Sequence, residues 1–226
     1  MVLPINEKVQ MEKTLLKKFF SLKKFISSSI LSDELDKLNL RNQVLTNWKF
    51  NNENSVIGFI RTMILEDTQT GNENIKKGLG FLDKLERNEI LFVKGSNKFA
   101  YFGELMTRLS VKRNLKGVII NGKTRDSDYT TKIKNFTIFS KGYSPVDIKL
   151  RGRVKNTDKK FKINKTIIQS YDIVFGDREG VVIIPIKKIK FLYPKIINAI
   201  NNEKNIKKMI RKNSSVKKIL DSFKEF

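Results

Sequence analysis

The chain has 226 residues, of which 39% are hydrophobic and 31% are charged, a composition typical of a globular rather than a disordered protein. It has no cysteine and no histidine, which excludes disulfides, thiolate or imidazole metal sites, and catalytic triads built on either residue. Any catalysis therefore relies on carboxylates, Arg, Lys, Tyr, backbone amides or an oxygen-ligated metal such as magnesium, manganese or calcium.

The formal charge of +23 raises the question of a nucleic-acid surface, because clustered Lys and Arg neutralise phosphates. However, 10 of the 46 basic residues are arginine, and the lysine excess accompanies many Ile, Asn and Phe residues, as in proteins from AT-rich genomes. No motif interleaves aromatic and basic residues for base stacking. We therefore favour compositional drift and expect no nucleic-acid partner, with an electrostatic nucleic-acid surface as the alternative.

The sequence also bears on location. No apolar run approaches the roughly 18 residues that span a bilayer. The N-terminus has no apolar block leading to a small-residue cleavage site. We therefore expect no membrane span and, by default, a cytoplasmic location.

The N-terminal region predicts two helices rich in lysine. Apolar residues at helical spacing indicate an amphipathic helix over residues 8–27, which the serines at 27–29 interrupt. Ser32 is placed to cap a second helix, DELDKLNL, in which Leu35 and Leu38 share one face.

The rest of the chain alternates strands and helices before a helical C-terminus. Apolar runs predict strands at VIGFIRTMIL (56–65, with a bend at Gly58), EILFVKG (89–95), GVIING (117–122), FTIFSKG (136–142), IKLRGRVKN (148–156), FKINKTIIQ, DIVFGD and GVVIIP. Polar residues 66–80 predict a loop with a short helix, and Asp177 is expected to order the DREG turn. Pro185 ends the last strand, and residues 187–226 predict basic amphipathic helices.

The segment from Gly103 to Asp126 holds a candidate site. FGELMTRLSVKRNL predicts a helix that begins near Gly103 with Leu105 and Leu109 facing inward, and the strand GVIING ends shortly before Arg125. A helix and the strand that follows it run antiparallel, so the helix start and the strand end lie at the same edge. Free amides at a helix N-terminus bind small carboxylates, and catalytic groups commonly follow strand ends in α/β folds.

Two interpretations of this edge are open. In the first, Glu104, the amides of Leu105 and Met106, Arg125 and Asp126 form a site for a small anionic substrate. In the second, Glu104 and Arg125 form an ordinary surface ion pair. The spacing alone does not decide between them.

The same residues carry a resemblance to a known family. Glu104, followed by twenty residues and then Arg125-Asp126, resembles the G-[DE]-x20-R-D signature of the regulator of ribonuclease activity A (RraA) and 4-hydroxy-4-methyl-2-oxoglutarate aldolase family. Further segments resemble the same family in the same order, namely ISSSILSDEL, VIGFIRT, EILFVKG, FTIFSKGYSP and DIVFGDREGVVIIP. The resemblance extends over residues 26–210.

The resemblance implies an α/β fold, a swivelling β/β/α-type sandwich with added N- and C-terminal helices. We accordingly divide the chain into a basic helical extension (1–25), an RraA-like core (26–190) and basic C-terminal helices (191–226). The resemblance also implies a homotrimer, or a hexamer made of two trimers, with active sites at subunit interfaces.

The resemblance further implies a divalent metal, Mg²⁺ or Mn²⁺, and a lyase that forms pyruvate. The reaction would be retro-aldol cleavage of a 4-hydroxy-2-oxo acid, decarboxylation of oxaloacetate, or both. Each leaves pyruvate enolate, which a metal chelated by the carbonyl and carboxylate of a 2-oxo acid stabilises as a Lewis acid. This chemistry needs no histidine.

Carried over residue by residue, the resemblance assigns roles to four charged side chains. Asp126 would hold the metal, directly or through water, and Arg125 would bind the carbonyl or enolate oxygen. Glu104 would position metal-bound water and relay a proton. Glu203 falls where the family supplies an acidic residue from a neighbouring subunit.

Backbone groups complete the implied site. The amides of Leu105 and Met106 would receive the substrate carboxylate, and Gly103 would allow its close approach. The main alternative is a non-catalytic regulator that binds a ribonuclease or helicase partner, as some members of the family do. The intact set of Glu104, Arg125 and Asp126 favours the enzyme, because a pure binding protein does not need it.

Overall fold

The structure is a computed structural model that describes residues 5–51, 54–69, 73–134 and 136–223, without the side chains of 5–12 and 73–75. The described chain forms two compact units, residues 41–186 and residues 1–40 with 187–226. The helices are α1 (Ile5–Ser21), α2 (Ser28–Asp36), α3 (Glu73–Asp83), α4 (Glu104–Lys112), α5 (Ser127–Thr130), α6 (Ile189–Arg211) and α7 (Val216–Ser222).

The strands all lie in the unit 41–186. They are β1 (Val44–Leu45), β2 (Lys49–Phe50), β3 (Val56–Asp67), β4 (Glu89–Lys94), β5 (Ala100–Phe102), β6 (Gly117–Asn121), β7 (Lys123–Thr124), β8 (Thr137–Ser140), β9 (Gly152–Thr157), β10 (Phe161–Ile163), β11 (Thr166–Ile168), β12 (Ile173–Gly176) and β13 (Val181–Ile184). Nine of them form one mixed sheet in the order β1-β13-β12-β3-β4-β6-β8-β2, with β9 paired to β3. Neighbours from β3 to β8 are parallel, so the predicted α/β class is confirmed.

Both faces of the central strands are buried. In β4, Ile90 and Phe92 pack into one hydrophobic cluster, while Leu91 and Val93 pack into another on the opposite face. Alternate side chains of a strand point to opposite faces, and a parallel strand covered on both faces reads as a continuous apolar run. This is why EILFVK shows no alternation of polar and apolar residues.

Two local predictions in the core were wrong. The irregularity in β3 is a register shift between Ile64 and Leu65, not a bend at Gly58. Gly58 is needed for another reason, since a Cβ there would lie 2.6 Å from the carbonyl oxygen of Asn88. Residues 66–80, predicted as a loop with a short helix, instead include the end of β3, at Asp67, and the start of the 11-residue helix α3, which runs to Asp83.

In the helical unit, the prediction that Ser32 caps the second helix was wrong. Helix α1 ends at Ser21 rather than residue 27, and α2 begins at Ser28. Its N-cap is Ser27, whose hydroxyl accepts a hydrogen bond from the amide of Ile30, so Ser32 lies inside the helix. Leu35 is fully buried, and α2 packs against α6.

Helices also form the C-terminal part of this unit, as predicted. The long helix α6 and the short helix α7 occupy the region expected to be basic and helical. No helix within the described ranges combines the length and the apolar character that a membrane crossing requires.

A buried charged network ties β3 to its neighbours. The guanidinium of Arg61 donates to both carboxylate oxygens of Glu89, at 2.8 and 3.0 Å. It also donates to both oxygens of Asp158, at 2.8 and 2.7 Å. The rings of Phe81 and Tyr171 lie 5.0 and 5.4 Å from its central carbon. The network thus joins the start of β4 to the residue that follows β9.

We predict that Arg61→Met lowers the free energy of unfolding by about 3–5 kcal/mol, because it leaves the buried carboxylate of Glu89 without its cation. The matched control is Arg153→Met, which removes an arginine from an exposed pair with Glu66 and should cost about 0–1 kcal/mol. Urea unfolding measures both values. Equal losses in the two variants would contradict the role assigned to the network.

The network also predicts a pH dependence. Burial opposes ionisation of Asp158, but the hydrogen bonds from Arg61 and Ser170 prevail and lower its pKa. A carboxylate with a lowered folded-state pKa stabilises the fold above its unfolded pKa of about 3.9, and this stability is lost as the pH falls through the folded value. The stability difference between wild type and Asp158→Asn should therefore shrink below about pH 4. Urea midpoints across pH measure it, and a constant difference would contradict the prediction.

Candidate active site

A small second sheet sets the geometry of the site. Strands β5 and β7 pair in parallel, with Phe102 opposite Thr124, and the amide of Arg125 donates to the carbonyl of Phe102 at 2.9 Å. Two parallel strands end at the same edge, so Gly103 after β5 and Arg125 after β7 lie side by side. From the sequence we expected the end of β6 to bring these residues together. In the structure, the short strands β5 and β7 do so.

Asp126 connects this edge to helix α4. Its backbone is left-handed, with φ 55° and ψ 51°, an uncommon conformation that recurs at functional sites. Its Oδ2 accepts a hydrogen bond of 2.9 Å from the amide of Glu104, the first residue of α4. A carboxylate at this position also interacts favourably with the positive end of the helix. Asp126 therefore caps α4 from a different part of the chain.

Glycine at 103 is required by this arrangement. Gly103 is the N-cap of α4, and its φ of −146° is extended backbone that any residue adopts. A Cβ there would overlap the carboxylate of Asp126 and the side chain of Arg125. The amides of Leu105 and Met106, in the first turn of α4, have no intrahelical acceptor, so they stay available to a ligand.

Arg125 lies between two carboxylates. Its Nε is 3.4 Å from Oδ1 of Asp126, and its Nη1 donates to the carboxylate of Asp147. Asp147 is held in turn by the amide of Lys149 at 2.7 Å. The guanidinium is thereby oriented at the mouth of the site. No signal in the sequence pointed to Asp147.

Glu104 does not pair with Arg125, so the interpretation as a simple surface pair between them was wrong. Instead its carboxylate accepts from Arg108 at 2.7 Å, one helical turn away. The guanidinium of Arg108 lies 4.3 Å from the ring centre of Tyr129. The i,i+4 spacing of Glu104 and Arg108 is favourable on a helix. This spacing is the feature of the sequence that indicates the contact.

The inward face of α4 differs from the prediction. Leu105 is 77% exposed and Leu109 is 43% exposed, whereas Thr107 and Ser110 are buried. The hydroxyls of these two residues bond to the carbonyls one turn earlier, at 2.8 Å each. Because their polar groups are satisfied within the helix, this face can be buried and the leucines face outward.

An open cleft of about 530 Å³ lies at this edge, and Gly103, Leu105 and Met106 are not among the residues that line it. It is lined by Glu104, Arg125, Asp126, Ser127, Asp128, Tyr129, Tyr143, Ser144 and Pro145. The structure therefore brings together Glu104, Arg125 and Asp126 as predicted. Glu203 lies in the other unit, on α6, where it pairs with Lys207.

The donor set restricts the kind of metal the cleft would hold. Among the described residues, no group of three or more acidic side chains is arranged to bind an ion. Mg²⁺ fits such a site, because it is commonly held by one or two carboxylates with water and substrate oxygens as the other ligands. Asp126 suits this role, since an amide fixes one of its oxygens and the other makes a long contact with Arg125.

Comparison with known proteins identifies the family. The sequence profile of the RraA-like family, described as Aldolase/RraA, matches residues 28–183. The chain belongs to the RraA-like family. The signature residues Glu104, Arg125 and Asp126 lie within the matched range.

Solved structures confirm the RraA-like fold. An uncharacterised protein from Pseudomonas syringae superposes with a TM-score of 0.76 at 19% identity, covering 88% of this chain and 96% of that one. RraAS2 of Streptomyces coelicolor, described as an unusual member of the RNase ES inhibitor RraA protein family, gives a TM-score of 0.71 at 19% identity, covering 84% and 96%. The shared architecture is a mixed sheet with helices at both chain ends.

A curated relative is much longer. Protein DlpA of Legionella pneumophila is 22% identical over 199 residues, which are 87% of this chain and 32% of DlpA. This chain thus spans about a third of the length of that relative.

We predict that Gly103→Ala destabilises the protein by about 1–3 kcal/mol, because the added methyl group overlaps Asp126 and Arg125. The matched control is Gly80→Ala in α3, where a Cβ meets no atom within 4 Å. Replacing glycine inside an exposed helix should stabilise the protein by about 0.5–1 kcal/mol. Urea unfolding compares the two variants, and a Gly103→Ala variant as stable as wild type would contradict the close approach.

Proposed function

We propose that this protein is a divalent-metal-dependent lyase that forms pyruvate by cleaving a 4-hydroxy-2-oxo acid, decarboxylating oxaloacetate, or both. The observation that carries the proposal is that Arg125, Asp126 and Glu104, the first residue of α4, line one cleft. In a complex with a 2-oxo acid, the guanidinium would bind the carbonyl oxygen, the carboxylate of Asp126 would hold the metal, and the helix N-terminus would receive the substrate carboxylate. Membership of a family described as Aldolase/RraA supports the same chemistry.

The substrate would bind through its 2-oxo acid end. The amides of Leu105 and Met106 receive the carboxylate, as helix N-termini receive small anions. Arg125 donates to the carbonyl oxygen, and Asp126 holds the metal. When bound, Mg²⁺ or Mn²⁺ would supply Lewis-acid stabilisation of negative charge on the substrate oxygens.

The retro-aldol reaction breaks the bond between C3 and C4 of the substrate. The C4 hydroxyl loses its proton and becomes an aldehyde, and the electron pair of the broken bond forms the enolate of pyruvate. Protonation of C3 then gives pyruvate. Decarboxylation of oxaloacetate forms the same enolate with loss of CO₂, so one arrangement of Arg125 serves both reactions.

Two acidic residues are assigned to proton handling. Glu104 lines the cleft and is oriented by Arg108, so it is placed to position a water and relay a proton. Glu203 is proposed to reach the site of a neighbouring subunit in a trimer or hexamer.

A regulator that binds a ribonuclease or helicase is the second candidate. It is favoured by exposed apolar residues on one side of α4, where Leu105 and Leu109, one turn apart, are 77% and 43% exposed. Such residues mark protein interfaces when they cluster, and a homotrimer would use the same face. The two candidates differ in what Arg125 must do, since a binding protein needs no oxyanion donor.

We predict that Arg125→Lys melts close to wild type but loses at least about a hundredfold in kcat for pyruvate release, because lysine cannot reproduce the planar fork of the guanidinium. The aldol and oxaloacetate reactions should fall together, since they share the enolate. The matched control is Arg113→Lys, which changes an exposed arginine paired with Asp83 and should keep both its melting temperature and its kcat. Wild-type turnover in Arg125→Lys, or loss of one reaction alone, would contradict the proposal.

A further inference from the structure

The loop after β8 carries Asp147 to the edge where the site lies. This loop runs along both short strands of the second sheet. The amide of Ser144 donates to the carbonyl of Thr124 in β7 at 2.8 Å, and the carbonyl of Val146 accepts from the amide of Ala100 in β5 at 2.8 Å. Asp147 is therefore held by the same two strands that set the geometry of the site.

The carboxylate of Asp147 is itself oriented. Its Oδ1 accepts a hydrogen bond of 2.7 Å from the amide of Lys149, in a turn where an Asp or Asn side chain bonds to the backbone two residues later. Its Oδ2 accepts from Nη1 of Arg125. One oxygen thus belongs to the loop and the other to the guanidinium, so Asp147 fixes the position of Nη1.

Arg125 interacts unequally with its two carboxylates. Its contact with Asp147 is direct. Its Nε lies 3.4 Å from Oδ1 of Asp126, longer than the range of about 2.7–3.2 Å that is usual for N–H···O bonds. The other oxygen of Asp126, Oδ2, accepts from the amide of Glu104 at 2.9 Å. Oδ1 of Asp126 is therefore the oxygen that is left for a metal.

Loss of the charge of Asp147 would change this balance. Among the residues that the structure describes, Asp126 is then the remaining carboxylate paired with the guanidinium. A guanidinium and a carboxylate that are free to approach form a bond of about 2.7–2.9 Å, so Arg125 would close the gap to Oδ1. A cation in contact with that oxygen repels a second cation there. Arg125 and a metal therefore compete for Asp126.

We propose that Asp147 is a positioning residue that holds Arg125 away from Asp126 and so keeps Oδ1 of Asp126 free to bind the divalent metal. This inference rests on the proposed lyase function and deepens it, because it names the residue that allows an oxyanion donor and a metal ligand to lie side by side. Every contact that supports it lies within residues 41–186 of a single chain.

Binding of Mn²⁺ measures this role without any reaction. The electron paramagnetic resonance signal of free Mn²⁺, titrated with the full chain, should give a Kd at least about tenfold higher for Asp147→Asn than for wild type, as is typical when a group that orients a metal site is changed. Asparagine still accepts from the amide of Lys149, so the loop keeps its turn. A Kd equal to that of wild type would overturn the inference.

Removal of Arg125 tests whether Asp147 acts through it. With the competing guanidinium gone, Asp147→Asn should have little further effect, so the double variant should have a Kd within about twofold of Arg125→Ala alone. If Asp147 acted through its own charge, or if its loss damaged the fold, Asp147→Asn would weaken binding equally in both backgrounds. That result, or failure of Arg125→Ala to bind Mn²⁺, would overturn the role of Asp147.

The matched control is another pair of aspartate and arginine. Asp83→Asn neutralises an exposed carboxylate that lies 3.1 Å from the guanidinium of Arg113. It removes the same charge from the chain and should keep the Kd for Mn²⁺ within about twofold of wild type. Equal weakening in Asp83→Asn and Asp147→Asn would indicate a general effect of charge and would overturn the positioning role.

An assay of pyruvate release from oxaloacetate, corrected for the rate without protein, separates this inference from the proposed function. If Mn²⁺ binding depends on Asp147 through Arg125 but no pyruvate is released, the lyase is contradicted and the positioning role stands. If wild type and Asp147→Asn release pyruvate with the same dependence on metal concentration, the positioning role is overturned and the lyase stands. Absence of Mn²⁺ binding to the wild-type protein would overturn both.

Discussion

The hydrogen bond between the carboxylate of Asp126 and the amide of Glu104 is the contact on which the rest of the site depends. It joins the residue that follows Arg125 to the first residue of α4, so the loop after β7 is held against the start of the helix. The left-handed backbone of Asp126 and the missing side chain of Gly103 both serve this contact. Once it is made, the side chains of Arg125 and Asp126 lie against Gly103 at the N-terminal end of α4.

The residues that line the cleft differ in charge from the chain as a whole. The chain is strongly basic, yet its cleft is acidic, and the cations near it are committed to carboxylates. The acidic lining is therefore more informative about function than the formal charge of +23.

Much of the core could be predicted from the sequence because strands buried on both faces leave long apolar runs. The runs around β3, β4, β6, β12 and β13 were found in this way, and Glu104, Arg125 and Asp126, singled out by their spacing, line one cleft. Other features left no readable pattern. Strands β5 and β7 have three and two residues, too few for a period, and α4 buries Thr107 and Ser110 because their hydroxyls bond to their own helix. Partners distant in sequence, such as Asp158 for Arg61 and Asp147 for Arg125, cannot be inferred from local spacing.

The central claim is that this cleft stabilises the enolate of pyruvate, and pyruvate itself can test it. In D₂O with MgCl₂, an enolate-forming enzyme exchanges the methyl protons of pyruvate for deuterium, which ¹H NMR follows without knowledge of the far end of the substrate. The account predicts exchange above the buffer rate for the wild-type protein, and its loss on chelation of the metal or in Asp126→Ala. Exchange at the buffer rate in the wild-type protein, or exchange that survives in Asp126→Ala, would contradict it.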